Sequence, residues 1–337
     1  MITRHAQSAG VGTLGRAQRL HRAATRFRES NPTTCLDIGL VNNMPDAALD
    51  ATERQFRALL GASADSVTVR LTLYSLPEVS RTDFGRRQVS QYSSLEELWQ
   101  RHHDGLIVTG TEPRAADLKD EPFWGSLTRV LEWAERHTYS TILSCLAAHA
   151  GILHFDGIAR RPLVQKRFGV FECVPVSDHP LTAEAPPRLQ MPHSRLNEIP
   201  EEALRRCGYR VLTRSEEAGV DSFVKKRNSL FVFFQGHPEY EASTLLLEYR
   251  RDIGRFLRGE CATYPPMPQG YFDDELVEAL TALRQRLTSD RREELLAEFP
   301  IAAAIGKVAS TWHSTAQTLY RNWLLYLAGE KKQQLRA

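Results

Sequence analysis

Residues 139–153 read YSTILSCLAAHAGIL, and this stretch decides the fold prediction. Its first six residues are mostly β-branched, aromatic or apolar, which is typical of a short buried strand. The small and apolar residues from Ala147 onward favour a helix. Cys145 therefore falls where a strand turns into a helix, at the end of the strand where ligands gather in open α/β sheets.

The same alternation of strand and helix continues on both sides of this stretch. Short apolar or alternating segments are each followed by a segment with helical spacing of its apolar residues. The predicted pairs are 35–42 with 47–60, 67–75 with 95–101, 104–109 with 122–137, and 230–234 with 241–258. Strands that alternate with helices at this spacing predict an α/β fold with a parallel sheet flanked by helices.

The length and composition of the chain suit one large folded unit with shorter additions. The 337 residues are 42% hydrophobic and 25% charged, which is ordinary for a globular protein. We expect a basic N-terminal extension at 1–33, an α/β domain at 34–260, and a linker with a C-terminal helical segment at 261–337 that packs on the same domain. Within the last part, 273–298 predicts a helix or helix pair and 311–328 a closing helix. The basic N-terminus would also suit a transit peptide, but no cleavage signal is evident.

Charge and cysteine usage argue against several classes of protein. The 43 lysines and arginines nearly cancel the 41 acidic residues, so we expect no nucleic acid and no membrane as a partner. There is no window of eighteen uninterrupted apolar residues that would predict a membrane span. The five cysteines form no CxxC pair, which argues against a disulfide framework and a structural metal. We therefore expect a cytoplasmic protein without a bound metal.

Cys145 is the candidate nucleophile. A cysteine at a strand-to-helix turn projects from the sheet edge, where the positive end of the helix favours its thiolate form. Backbone amides of the same turn can stabilise the oxyanion that forms when the thiolate attacks a carbonyl. A lone cysteine of this kind is as often a buried structural residue, so its partners decide between the two interpretations.

His237 and Glu239 are the candidate partners of that cysteine. His237 follows the apolar strand 230–234, and Glu239 stands two positions later across Pro238, which would let the carboxylate orient the imidazole. A nucleophile, a base and an orienting acid are the set that covalent acyl transfer requires. The alternative is a simple turn with a solvated glutamate. Because both turns are predicted at carboxyl ends of strands, we favour the catalytic interpretation.

Several polar residues are candidates for binding an amino-acid substrate. Residues 191–195 read MPHSR and are predicted to form a loop that offers a hydroxyl, an imidazole and a guanidinium to a carboxylate. Arg251, on the helix after the histidine turn, is a second candidate for the same carboxylate. Lys166, which precedes the segment FGV at 168–170, could contact a carboxylate or an acyl carbonyl. Each of these charges could instead be a solvated surface group.

Taken together, these motifs resemble the homoserine O-succinyltransferase and O-acetyltransferase family. The matching segments follow the family's order over about residues 35–325 and are VNNMP 41–45 with 52–56, DGLIVTG 104–110, FW 123–124, SC 144–145, Lys166 with FGV 168–170, PHSR 192–195, GHPEY 236–240, WHS 312–314 and NW 322–323. The resemblance implies a class I glutamine amidotransferase-like fold. That fold is a flavodoxin-like parallel sheet flanked by helices, here with added N- and C-terminal helical segments.

The resemblance also implies a reaction. Cys145 would take the acyl group from an acyl-CoA, and the hydroxyl of L-homoserine would then attack the thioester in ping-pong order. His237 would act as general base and then as acid, with Glu239 orienting it. The acyl-CoA is a co-substrate, and no bound cofactor is implied. The implied pathway is methionine biosynthesis, and a homodimer is expected.

Further residue roles follow from the same resemblance. Lys166, Ser194 and Arg251 would bind substrate, and the backbone amide of Leu146 is the candidate oxyanion donor. Many relatives carry a larger aromatic residue at the position of Leu146. Arg114 occupies a loop position where the family has glutamate for acetyl donors and glycine for succinyl donors. We expect Arg114 to pair with the free carboxylate of a succinyl group, which favours succinyl-CoA as the donor.

Other interpretations remain open at this point. The donor could be acetyl-CoA, and the acceptor could be serine, since 273–298 is longer than the corresponding family region. That segment and the N-terminal extension could instead form an oligomer interface. A glutamine amidotransferase or related hydrolase shares the cysteine and the histidine, but Leu143 and Ala147 replace the glycines of the usual Gly-x-Cys-x-Gly turn. A binding protein that keeps the fold without the activity is a further alternative.

Overall fold

A nine-stranded sheet forms the centre of the chain in a computed structural model that describes residues 34–308 and 310–336. Its strands are β1 (Thr34–Val41), β2 (Val67–Tyr74), β3 (Gly105–Val108), β4 (Ser140–Ser144), β5 (Arg161–Pro175), β6 (Leu189–Glu198), β7 (Arg210–Ser215), β8 (Gly219–Lys226) and β9 (Leu230–Phe234). The helices are α1 (Asp46–Ser63), α2 (Asp83–Val89), α3 (Leu95–Trp99), α4 (Trp124–His137), α5 (Leu146–Asp156), α6 (Glu201–Arg206), α7 (Thr244–Leu257), α8 (Asp274–Ser289), α9 (Ile301–Ile305) and α10 (His313–Gln334). The predicted basic extension at 1–33 lies outside the described residues.

One half of the sheet is parallel and matches the prediction from the sequence. The strand order runs β2-β1-β3-β4-β9, and every neighbouring pair in it is parallel. Every residue of β3, β4 and β9 is buried, because helices cover both faces of such a sheet. This confirms the predicted α/β fold class. It also brings the carboxyl ends of β4 and β9 side by side, with Ser144 paired to Phe234.

The other half of the sheet is antiparallel, and this arrangement was not predicted from the sequence. After β9 the order continues β8-β7-β5-β6, with each strand antiparallel to its neighbours. The prediction of a loop at 191–195 is therefore wrong, because these residues lie in β6 and pair with β5. The segment resembles a loop in sequence because β6 is an edge strand, and edge strands carry polar side chains and proline.

Two apolar layers hold the helices on the sheet. On one face, α3, α4 and α5 share a buried cluster with Leu106 of β3 and Phe233 of β9. On the opposite face, α1 and α10 share a cluster with Ile107 of β3 and Val232 of β9. Successive residues of one strand thus enter different layers, as the alternation of side chains along a strand requires.

The C-terminal helix α10 is also attached to the sheet by polar contacts. Trp323 Nε1 donates a hydrogen bond to Ser140 Oγ at 2.9 Å. Lys331 Nζ donates to Asp104 Oδ2 at 2.7 Å. The predicted closing helix at 311–328 is therefore present, and it extends beyond its predicted end.

A third apolar cluster joins α7 to the segments that follow it. The predicted helix or helix pair at 273–298 is α8 followed by a 3-10 turn at Glu293–Glu298. Asp273 caps α8, because its Oδ1 accepts Leu276 N–H at 2.8 Å. None of the described helices is long and apolar enough to cross a membrane.

Candidate active site

The candidate nucleophile stands on a strained turn between β4 and α5. Cys145 has φ +51° and ψ −109°, and a sparsely populated backbone conformation of this kind costs about 1–3 kcal/mol. The Cys145 N–H donates to Phe234 O at 2.8 Å, so the neighbouring strand β9 holds the turn. The predicted position of Cys145 between strand and helix is confirmed. Strain of this kind clusters at functional sites, which singles out this cysteine from the other four.

The backbone amide of Leu146 lies at the same turn, because α5 begins at that residue. Gly110, in the loop after β3, packs directly against it. A Cβ at Gly110 would lie 2.8 Å from Leu146 Cβ and 3.0 Å from Leu146 N, so only glycine permits this approach. The proposed role of the Leu146 amide as oxyanion donor stays a prediction, and its place next to Cys145 suits that role.

His237 and Glu239 form a buried pair beside Cys145. The distance from His237 Nδ1 to Glu239 Oε1 is 2.9 Å, and each residue is 7% exposed. Burial lowers the pKa of His237, but the charges of Glu239 and Cys145 and the hydrogen bonds to both outweigh it, so that this pKa is raised well above its usual value. Because Nδ1 faces the carboxylate, Nε2 is the nitrogen available to the sulfur. The three residues predicted to act together are therefore brought together.

Two further residues support this pair. Both lie in segments that carry the family resemblance, SC 144–145 and GHPEY 236–240, but no role was predicted for either. Ser144 Oγ donates to Glu239 Oε1 at 3.1 Å, across 95 positions of the chain. The ring of Tyr240 stacks on the imidazole of His237, with centroids 4.2 Å apart and planes at 15°. The carboxylate and the imidazole are thus each held from a second side.

A buried glutamine ties the histidine turn to the helix of the nucleophile. Gln235 Nε2 donates to Val220 O at 2.6 Å, and Gln235 Oε1 lies 3.1 Å from His149 Nε2. Burial lowers the pKa of His149 to about 3, and the nearby charges of Arg195 and Arg160 act in the same direction. His149 is therefore neutral and donates to the amide oxygen of Gln235.

We expect His149 to make the protein less stable in acid. In the unfolded chain the histidine takes up a proton below its ordinary pKa near 6.5, whereas in the fold it stays neutral down to about 3. Stability is therefore complete above about pH 6.5 and falls as the pH drops, by about 2 kcal/mol at pH 5 from this group alone. Urea unfolding at pH 7.5 and pH 5 gives the loss of unfolding free energy between the two pH values. We expect this loss to be about 2 kcal/mol smaller in His149→Gln than in wild type.

The exposed His313 provides the matched control for that measurement. His313→Gln should keep the full loss of unfolding free energy between the two pH values, because this substitution leaves the buried His149 in place. An equal acid loss in wild type and His149→Gln would show that His149 is not held neutral by the fold.

The side chains of the segment 191–195 do not act together as predicted, because they alternate across β6. His193 and Arg195 point into the interior, where Arg195 Nε donates to His193 Nδ1 at 3.3 Å. His193 Nε2 lies 3.3 Å from Asp221 Oδ1. Ser194 points the other way, towards α7. The expected grip of a hydroxyl, an imidazole and a guanidinium on one carboxylate is therefore wrong for His193 and Arg195.

The three residues predicted to bind substrate meet at two acidic residues of α7. Ser194 Oγ donates to Glu248 Oε2. Lys166 Nζ donates to Asp252 Oδ2 at 2.8 Å, and Arg251 Nε donates to Asp252 Oδ1 at 2.9 Å. Burial raises the pKa of Asp252, but the charges of Lys166 and Arg251 outweigh it and hold this pKa below its usual value. We call Lys166, Ser194, Glu248, Arg251 and Asp252 the charged cluster.

Tyr240 connects the charged cluster to His237. The Tyr240 hydroxyl donates to Glu248 Oε1 at 2.6 Å, while its ring stacks on His237. Neither Glu248 nor Asp252 belongs to a motif that was identified in the sequence. A helical repeat could have identified them, because positions 248, 251 and 252 of α7 lie on one face at spacings of three and four residues.

Arg114 lies in a loop that is fastened at two points. Glu121 Oε1 accepts the backbone N–H of Arg114 at 2.5 Å and that of Ala115 at 2.7 Å. Glu112 pairs through both carboxylate oxygens with Arg255 of α7, each at 2.8 Å. The Arg114 side chain is exposed. Its contact with an acyl group stays a prediction.

Solved structures offer weak similarities. A glutamine amidotransferase from Thermotoga maritima is 14% identical, with a TM-score of 0.44 over 88% of this chain and 98% of that chain. A glutamine amidotransferase from Methylobacillus flagellatus is 16% identical, with a TM-score of 0.48 over 87% of this chain and 95% of that chain. Scores this low carry no weight for the function of this chain.

Sequence relatives are much more similar. The profile of the family described as HTS, homoserine O-succinyltransferase, matches residues 16–334. A homoserine O-succinyltransferase of Rhodopseudomonas palustris is 48% identical over 296 residues, which cover 88% of this chain and 89% of the relative. The homoserine O-succinyltransferase of Bradyrhizobium japonicum is 46% identical over 295 residues, which cover 87% and 90%. These matches confirm the predicted resemblance, and the chain belongs to the homoserine O-succinyltransferase family.

Proposed function

We propose that this chain transfers the succinyl group of succinyl-CoA to the hydroxyl of L-homoserine, through a thioester on Cys145, in methionine biosynthesis. The observation that carries the proposal is the convergence of Cys145, His237 and Glu239 on adjacent turns beside the charged cluster. A nucleophile with a paired base supports acyl transfer, and a cluster of opposite charges supports an amino acid as the acceptor.

Acylation is the first half-reaction of the proposed mechanism. Because its pKa is raised, His237 is an imidazolium at neutral pH, and its charge stabilises the Cys145 thiolate. The sulfur attacks the thioester carbonyl of succinyl-CoA, and the oxyanion that forms faces the amide of Leu146. When the carbon–sulfur bond to CoA breaks, the imidazolium proton passes to the leaving CoA sulfur. The succinyl group remains on Cys145.

Transfer to the acceptor is the second half-reaction. His237 is now neutral and takes the proton of the homoserine hydroxyl as that oxygen attacks the Cys145 thioester. The carbon–sulfur bond breaks, O-succinylhomoserine leaves, and the thiolate and imidazolium are restored. Glu239 holds Nδ1 of the imidazole in both halves, so Nε2 can serve first as acid and then as base.

The charged cluster suits a zwitterion. It contains two cations, Lys166 and Arg251, and two carboxylates, Glu248 and Asp252. An amino acid brings one charge of each sign, so it can replace pairings within the cluster without leaving a buried charge unpaired. The homoserine carboxylate would pair with the two cations, and its ammonium group with Glu248.

The proposal that succinyl-CoA is the donor is based on Arg114. A guanidinium at this loop position would attract the free carboxylate of a succinyl group, whereas a glutamate would repel it. Among the residues that the structure describes, the Arg114 side chain has no salt-bridge partner, so its charge is available to a ligand.

A matrix of donors and acceptors tests both parts of the proposal. Succinyl-CoA and acetyl-CoA are each combined with homoserine and serine, and the release of free CoA is measured. We expect succinyl-CoA with homoserine to have the highest kcat/KM, and Arg114→Glu to lower it about 10-fold or more, since a charge-assisted pair is replaced by a repulsive one. Lys119→Glu makes the same charge change at another exposed position nearby and should leave the preference unchanged. A higher kcat/KM for acetyl-CoA or serine would show that the proposed donor or acceptor is wrong.

A further inference from the structure

We propose that Tyr240 is a positioning residue that holds Glu248 for the acceptor and supports the ring of His237 with the same side chain. This inference rests on the proposed function, because it assigns the hydroxyl of one tyrosine to acceptor binding and its ring to the base that serves both half-reactions.

Tyr240 is held at both ends of its side chain and by its backbone. Its ring stacks on His237 with centroids 4.2 Å apart, and its hydroxyl donates to Glu248 Oε1 at 2.6 Å. Its N–H donates to His237 O at 3.1 Å, and its carbonyl accepts Trp312 Nε1–H at 2.8 Å. Since Tyr240 is only 7% exposed, the tyrosine has little freedom to leave this position.

The hydroxyl stays a donor over the whole physiological pH range. Burial raises the pKa of Tyr240 well above its usual value, and the charge of Glu248 acts in the same direction. A hydrogen bond from a neutral hydroxyl to a carboxylate is stronger than one between neutral groups. Tyr240 therefore holds one oxygen of Glu248 in place while the other oxygen faces Ser194 and Lys166.

The ring makes a separate contribution to His237. One edge of the imidazole faces Glu239 through Nδ1, which fixes the direction of that nitrogen but not the tilt of the ring. The Tyr240 face, nearly parallel to the imidazole at 15°, restricts that tilt. A planar ring at this position should therefore matter to both half-reactions, whereas the hydroxyl should matter only to the acceptor.

The test separates the ring from the hydroxyl with two substitutions. Tyr240→Phe keeps the stack and removes the donor to Glu248, so we expect KM for homoserine to rise about 10-fold to 100-fold, as for the loss of a hydrogen bond to a charged group. The rate of the CoA burst with succinyl-CoA alone, which reports acylation, should fall much less. Tyr240→Leu removes the stack as well, and here the burst rate should also fall, by about 10-fold or more.

Tyr271→Phe is the matched control. Tyr271 is also buried, and its hydroxyl donates to Ala242 O in the loop before α7. Among the described residues, no hydrogen bond or ring stacking joins Tyr271 to Glu248 or His237. Its substitution removes a buried hydrogen bond of the same kind and should leave KM for homoserine unchanged. If Tyr240→Phe and Tyr271→Phe have the same KM for homoserine in an active enzyme, the inference about Tyr240 is wrong, while the proposed function still stands. A wild-type protein that releases no CoA from succinyl-CoA would overturn the proposed function and the inference with it.

Discussion

Cys145→Ala is expected to lower succinyl transfer to homoserine by about 10⁴-fold or more, as loss of the nucleophile does in enzymes that use a covalent intermediate. The methyl group of alanine cannot form the thioester on which both half-reactions depend. The fold should be retained, because β9 holds the turn through the Cys145 backbone N–H and not through the sulfur. Steady-state CoA release and the unfolding temperature check the two parts of this expectation.

Two controls make the result specific to this sulfur. Cys261 is exposed and lies in the segment between α7 and α8, so Cys261→Ala should keep wild-type turnover. Wild-type protein incubated with succinyl-CoA alone should gain the mass of one succinyl group, and Cys145→Ala should gain none. Turnover by Cys145→Ala above about one thousandth of wild type would contradict the nucleophile assignment.

His237→Gln is expected to lower kcat/KM by about 10³-fold to 10⁴-fold, because both proton transfers pass through this imidazole. The glutamine side chain fills similar space but cannot carry a proton at neutral pH. Alkylation of Cys145 by iodoacetamide at pH 6 should also slow, since the imidazolium that stabilises the thiolate is absent. Glu239→Gln should lower kcat/KM less than His237→Gln does, because an amide oxygen can still accept a hydrogen bond from Nδ1 of His237.

A second histidine–glutamate pair, which joins α5 to α4, provides the control for these variants. His154 Nε2 lies 3.4 Å from Glu132 Oε1 at the far end of α5. His154→Gln should leave both turnover and alkylation of Cys145 at wild-type values, since this pair has no contact with the turn of the nucleophile. An alkylation rate at pH 6 that is equal in wild type and His237→Gln would show that the imidazole does not stabilise the thiolate.

The parallel half of the sheet could be predicted because each of its strands and helices is marked by a pattern among neighbouring residues. The strand at 230–234 and the helix that follows it are marked by their own apolar spacing, which backbone geometry imposes on any buried strand or helix. The rule that ligands gather at carboxyl ends then places Cys145 and His237 at one edge. The close spacing of His237 and Glu239 across a proline predicts their pairing for the same local reason.

The antiparallel half could not be predicted, because β5 to β8 carry no equally clear pattern. β5 contains an irregularity between Pro162 and Arg167 that interrupts its alternation. Its partner β6 is polar on one side and buried on the other, and the proline in 191–195 is typical of a loop. The true positions of His193 and Arg195, inside the protein and away from the charged cluster, follow only from the pairing of these strands.

The amino-acid sequence was sufficient to predict the α/β class, the turn that bears Cys145, the pairing of His237 with Glu239, and the family. The residues that surround these features could be identified only from the fold. Ser144 reaches Glu239 across 95 positions, and Lys166 reaches Asp252 across 86. Contacts of this length depend on the order of strands in the sheet and on the face that each helix buries, and no local pattern encodes either property.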